Sequence, residues 1–204
     1  MRMRKKKHAQ ERIDACADLL LSGEPSESPL YLEIGCGKGD FIIAKASESP
    51  DANFIAVEVV PDVIVTALEK AKAAEPPLRN LKFLLADALD LPKYIASESV
   101  SGIYLNFSDP WHKHKKFGNR LTSAKFTEIY SSLLKPGGFI AQKTDNAPLF
   151  DFSLRRYGEA GFKTERLTRD LYNSEWLAGN IATEYERGFV DKGLPIHYAL
   201  VRKT

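Results

Sequence analysis

Cysteine is scarce: Cys16 and Cys36 are the only two in 204 residues. Two thiols cannot build a disulfide framework, and neither has the spacing or the neighbouring histidines of a zinc site. The chain therefore reads as a protein of a reducing, cytoplasmic setting with no metal ligand set. Long apolar runs are also missing. No stretch approaches the roughly 18 residues that span a bilayer. The segment Ala9 to Leu21, which follows a basic start, carries Glu11, Arg12, Asp14 and Asp18, and so lacks the apolar core of a signal peptide. Internal repeats and low-complexity tracts are absent. So is any large excess of one charge, since the formal net charge is only +2.

That small net charge is unevenly placed. Arg2, Arg4, Lys5, Lys6, Lys7 and Arg12 crowd the start, a pattern that suits a polyanionic partner or, taken alone, a solvated leader. With 44% apolar residues the chain can bury a full core, and its length fits a single domain over 1–204 with the basic leader and a helix within 1–21. Ile13, Ala17, Leu20 and Leu21 recur at helical spacing, which predicts that helix over about 8–21.

From Leu30 onward, short apolar runs alternate with longer helical patterns. Strands are expected at YLEIG, NFIAVEV, LKFLLAD, SGIYLNF and GGFIAQKT. Helices are expected near 39–48, 62–75, 92–97, 122–134 and 147–160. Such alternation predicts an α/β protein with a parallel sheet covered on both faces. Two later strands, FKTERLT and PIHYALVR, are separated by a polar segment and predict an antiparallel pair at the sheet edge.

The first strand runs into Glu33-Ile34-Gly35-Cys36-Gly37-Lys38-Gly39. Glycines there let the backbone turn sharply and approach a ligand, but the spacing is neither G-x-G-x-x-G nor a phosphate loop. A ligand without phosphate fits better. Glu58 ends the second strand, where a carboxylate can accept both hydroxyls of a ribose. Asp87-Ala88 follows the third, where an acid and a backbone N–H can read an adenine. Each acid alone also reads as an exposed strand-end residue, whereas the three together at successive strand ends outline a nucleoside pocket.

This series, E-x-G-x-G-x-G followed by the two later acids, resembles the class I S-adenosylmethionine methyltransferases. The resemblance implies a Rossmann-like fold with a mostly parallel seven-stranded sheet, helices on both faces and an antiparallel edge. It also implies S-adenosylmethionine as cofactor, held at Glu33, Gly35, Gly37, Glu58, Asp87 and Ala88. Cys36 and Lys38 then read as loop fillers.

Strand four ends in Asn106-Phe107-Ser108-Asp109-Pro110-Trp111, a rigid corner at the end of the sheet where ligands bind. His112 to Arg120 follows, a loop dense in donors and cations that suits phosphates. With Lys143-Thr144-Asp145-Asn146, Thr183-Glu184-Tyr185-Glu186 and the leader, these motifs resemble the bacterial tRNA (guanine-N7)-methyltransferase family over nearly the whole chain. Carried over by position, the resemblance implies a tRNA partner and assigns Asp109 to cofactor contact and catalysis. It assigns Lys113, Asp145, Thr183, Tyr185 and Glu186 to the guanosine, and Lys115, Lys116 and Arg120 to RNA. His112 stands where that family continues with proline, and Phe117-Gly118-Asn119 dilute the basic stretch. A methyltransferase for another RNA base or for a protein, and a non-catalytic RNA-binding module, are the alternatives. No metal and no protein partner is called for.

Overall fold

The computed structural model describes residues 8–23 and 29–204, so the lysines and arginines of the leader before His8 lie outside the described residues. Seven strands form one sheet: β1 (Leu30–Ile34), β2 (Asn53–Glu58), β3 (Leu81–Leu85), β4 (Val100–Asn106), β5 (Leu134–Thr144), β6 (Lys163–Thr168) and β7 (His197–Arg202). Their order is β3-β2-β1-β4-β5-β7-β6. β1 to β5 pair in parallel, while β7 runs antiparallel to both β5 and β6. All seven strands lie where the apolar runs predict them, and the edge is antiparallel as expected.

Six helices accompany the sheet: α1 (Ala9–Asp14), α2 (Asp40–Glu48), α3 (Pro61–Lys72), α4 (Ala124–Leu133), α5 (Ala147–Glu159) and α6 (Glu184–Val190). Two apolar clusters divide the core by sheet face. On one face Ile42, Ile64 and Leu68 of α2 and α3 pack with Phe54, Ala56 and Phe83. On the other, Phe126, Tyr130 and Tyr157 of α4 and α5 pack with Ile103, Leu105 and Ile140. On the first face the two helices named pack over the β1, β2 and β3 half of the sheet. Toward β5 and β7 the irregular segment 171–181 covers a cavity of about 200 Å³ lined by Tyr104, Phe139, Trp176 and Tyr198.

Three expectations need correction. The helix expected over 8–21 ends at Asp14, because Leu20 bridges Phe83 and the Leu21 N–H donates to the Phe83 carbonyl, so the chain leaves the helix to cover the β3 edge. The short helix expected near 92–97 is a 3-10 turn over Ala88–Lys93, set earlier because the Asp87 carboxylate accepts the Leu89 N–H at 2.9 Å. The polar segment near 184–190 is helical. Thr183 and Glu186 form its capping box, each side chain accepting the other's backbone N–H.

Candidate active site at the switch point of the sheet

Strand order reverses between β1 and β4, and the loops leaving these neighbours open the crevice where an α/β sheet binds its ligand. After β1 the backbone folds over the end of β2, with the Gly35 and Cys36 N–H groups donating to the Val57 carbonyl at 2.9 and 3.0 Å. Gly35, Gly37 and Gly39 all have positive φ. A Cβ at Gly39 would stand 2.8 Å from that of Ala67, so this glycine also sets how closely the loop lies on α3.

Glu33 lies under that loop, 2% exposed. One oxygen accepts the Asn106 amide at 2.8 Å, and the other is buried with no hydrogen-bond partner among the described residues. Burial pushes the Glu33 carboxyl up to about 8, against the pull of Asn106, Lys143 and the Ile42 backbone N–H. A buried acceptor oxygen without a well-formed hydrogen bond is a place for a donor, and best for a cationic one.

Glu58, also buried, accepts N–H groups from Gly37 at 3.1 Å, Val59 at 2.9 Å and Val60 at 3.0 Å. It thus ties the glycine loop to the start of α3. Asp87 is exposed at the next strand end and Ala88 is buried behind it. Between these acids Val59, Val60 and Leu89 are exposed, Val59 at 58%. Exposed aliphatic side chains beside two carboxylates make walls for a planar base, a pairing that sequence reasoning missed although two of the three directly follow Glu58. Lys38 is not free to hold a phosphate, since its ammonium is 2.8 Å from the Glu184 carboxylate. It is therefore more than loop filler: it ties the glycine loop to α6.

At the end of β4 the chain turns through two residues of positive φ, Phe107 and Trp111, which bracket Asp109. Asp109 is exposed and makes no side-chain hydrogen bond or ion pair with the described residues. The corner is held from three sides. The Phe107 N–H donates to the Lys143 carbonyl at 2.9 Å, and the Phe107 ring stacks on Phe189 of α6 with centroids 5.9 Å apart. Arg120 Nε donates to the Pro110 carbonyl at 2.7 Å.

That last bond changes the reading of Arg120. The residue is 3% exposed, its guanidinium lies 3.6 Å from the centre of the Phe117 ring and 4.6 Å from that of Phe152, and burial holds its pKa below the usual range. It clamps the corner and offers no charge to a surface ligand. Lys113, Lys115 and Lys116 are exposed, the last with its ammonium 5.2 Å over the Trp111 ring.

Residues expected around a guanosine divide similarly. Asp145 is half-buried at the end of β5 and makes no side-chain hydrogen bond or ion pair with the described residues; the capping role in that turn belongs to Asn146, which accepts the Leu149 N–H at 2.9 Å. Tyr185 is 62% exposed. Thr183 and Glu186 are buried instead. Glu186 accepts four donors: Tyr172 Oη at 3.2 Å, Asn180 Nδ2 at 2.6 Å, Lys143 Nζ at 2.5 Å and the Thr183 N–H at 3.2 Å. With its acceptors occupied and no exposed surface, it builds the turn and does not read a base. The Thr-x-x-Glu spacing is itself a capping-box signature, so this role was legible in the sequence.

Comparison with known proteins agrees with this geometry. Residues 27–199 match the family described as "Putative methyltransferase". The tRNA (guanine-N(7)-)-methyltransferase of Halalkalibacterium halodurans is 40% identical over 208 residues, covering 97% of this chain and 93% of its own. That of Bacillus subtilis is 39% identical over 212 residues, covering 98% of each. Among solved structures, the 16S rRNA methyltransferase KamB superposes with a TM-score of 0.64 at 18% identity, covering 100% of this chain and 96% of its own, which shows a common fold. On its sequence, its fold and the residues gathered at the switch point, the chain belongs to the tRNA (guanine-N(7)-)-methyltransferase family.

Proposed function

We propose that this chain transfers the methyl group of S-adenosylmethionine to N7 of a guanine in the variable loop of tRNA. The observation that carries the reading is the meeting, at one switch point, of a buried acid with an open acceptor, a nucleoside-sized series of strand ends and an unpaired carboxylate, Asp109, on a rigid corner. S-adenosylmethionine supplies an electrophilic methyl group on a sulfonium centre, with an ammonium at one end and an adenosine at the other. The residues present fit it. Glu33 has the open acceptor that an ammonium fills, Glu58 and Asp87 stand at the strand ends suited to ribose and adenine, and Val59, Val60 and Leu89 supply apolar walls.

Guanine N7 carries a free lone pair and no proton, so the attack needs no strong base, and positioning with electrostatic stabilisation does most of the work. Methylation places positive charge on the purine, and carboxylates nearby stabilise charge that exists only from the transition state onward. Asp109 and Asp145, which make no side-chain hydrogen bond or ion pair with the described residues, are the two acids proposed for this. A carboxylate accepting N1–H and the 2-amino group also separates guanine from adenine, which has no donor at either position. Tyr185 stands exposed at the start of α6 as a stacking surface.

The test is methyl transfer from labelled S-adenosylmethionine to unmodified tRNA, followed by borohydride reduction and aniline cleavage. Scission at one variable-loop guanine is the expected result. Label incorporated without scission would keep the methyltransferase and remove the N7 assignment.

RNA docking gives a second expected result. Neutralising Lys115 and Lys116 together should reduce the slope of log affinity against log salt by roughly 1 to 2, since each phosphate contact releases counterions. Arg120→Ala should leave that slope unchanged and instead cost about 2 kcal/mol of stability, because a buried charged hydrogen bond to Pro110 is lost. A flattened slope in the Arg120 variant would return it to the RNA surface.

A further inference from the structure

Lys143 is the only described lysine whose side chain is buried. Its three N–H donors are all taken, by Glu186 Oε2 at 2.5 Å, Asn180 Oδ1 at 2.9 Å and the Ile181 carbonyl at 2.8 Å. All three acceptors belong to the connection between β6 and β7, whereas Lys143 stands near the end of β5. One side chain thus anchors the turn that precedes α6. Lys143 lies opposite Asn106 in the β4–β5 register, and the Asn106 amide donates to Glu33 at 2.8 Å, so the Lys143 charge favours an ionised Glu33 while Asp40 of α2 opposes it; Cys36 of the glycine loop and Tyr104 of β4 are the other titratable groups around Glu33. Among these groups Lys143 is the only cation. Lys45 and Arg166 line the same cavity as Lys143. The Phe41 ring, its centre 5.3 Å from the Lys143 ammonium, adds a further favourable face.

We propose that Lys143 is a positioning residue for both halves of the reaction, holding the 180–186 turn on the guanosine side and supplying the cation that Glu33 faces on the cofactor side. This rests on the reading given above. On the guanosine side, the bonds to Asn180, Ile181 and Glu186 fix the start of α6, the helix that carries the exposed Tyr185 and whose Phe189 stacks on Phe107 of the Asp109 corner. On the cofactor side, binding an ammonium requires Glu33 ionised, whereas burial keeps it protonated near neutrality. Cofactor affinity therefore rises with pH as Glu33 ionises, around pH 8, and falls once the cofactor's own amino group loses its proton. Removing the Lys143 charge makes ionisation of Glu33 harder and moves the rising limb upward in pH.

The variant Lys143→Met/Glu186→Gln removes both members of the buried pair, so no uncompensated charge is left in the core; Asn180 and Ile181 lose a donor, which loosens the turn, while the two apolar clusters of the sheet are untouched. S-adenosylhomocysteine, titrated by calorimetry at a series of pH values, is the binding probe. In the variant, affinity at pH 7 is expected to fall about tenfold and the rising limb of the profile to move to higher pH. The KM for tRNA is expected to rise about tenfold, with a lower Tm but a single cooperative unfolding transition retained. A superimposable pH profile or an unchanged KM overturns the proposal, since a merely structural lysine would move neither. Lys143→Arg keeps the charge but not the ammonium geometry, so it should preserve the profile and raise KM; a profile displaced by arginine also overturns the proposal. If the parent methylates no tRNA, the functional reading fails, while the calorimetric profile still decides the cofactor half.

Discussion

Replacing Asp109 with alanine is expected to lower kcat for tRNA methylation by about a thousandfold while leaving Tm within a degree or two of the parent. Both halves follow from placement. The carboxylate is exposed and unpaired among the described residues, so its loss leaves no buried partner unsatisfied. Its backbone is fixed independently, by Arg120 on Pro110 and by Phe107 on Phe189. A fixed acid beside the base stabilises the charge of the methylated purine in a partly enclosed site, the type of contribution that falls by two to three orders of magnitude when one such group is removed. Asp109→Asn separates charge from hydrogen bonding: an equal loss assigns the effect to charge. Activity within tenfold of the parent in single-turnover assays would remove Asp109 from the chemistry.

Glu33→Gln should make the unliganded protein more stable and the cofactor bind at least tenfold more weakly. The folded protein keeps the Glu33 carboxyl protonated up to about 8, whereas the unfolded chain ionises it near the ordinary value of 4.5. Between those values the folded state holds the extra proton. Stability is therefore lost as pH rises through that window, and this penalty is absent below it. Glutamine has no such penalty and still offers a carbonyl to Asn106, so the gain in Tm should grow from pH 5 to pH 8. Loss of a charge-assisted hydrogen bond to the cofactor ammonium accounts for the weaker binding. In the parent, cofactor binding at pH 7 should release protons, visible as a calorimetric enthalpy that varies with the ionisation enthalpy of the buffer. A Tm gain independent of pH would sink the account.

The strands were legible because apolar alternation and continuous β-branched runs state their own period, and Phe54-Ile55-Ala56-Val57 could be little else. The glycine loop and the acids at 33, 58 and 87 were legible because strand ends follow directly from the strands. Whether a side chain is available was not legible. Arg120 has the same composition cues as an exposed ligand group, and only tertiary packing put it under Phe117 and Phe152, whereas for Glu186 the Thr-x-x-Glu spacing did signal the cap and only the contact with Lys143 was hidden. Lys38 shows the same limit, since its partner Glu184 lies 146 positions away. The helix expected to 21 failed because pairing with the β3 edge overrides local helical periodicity.

Strands β6 and β7 lie side by side and antiparallel, with Thr168 opposite Tyr198. Residues 169–196, which include the covering segment, the Lys143 acceptors and α6, are thus the loop of one long hairpin. No strand pairing of the sheet depends on them, and the entropy of closing such a loop grows only logarithmically with its length. The part of acceptor recognition proposed for Tyr185 is therefore an attachment, exchangeable or extensible without disturbing the β1, β2 and β3 ends proposed for the methyl donor. A scaffold divided in this way can change what it methylates while keeping how it methylates.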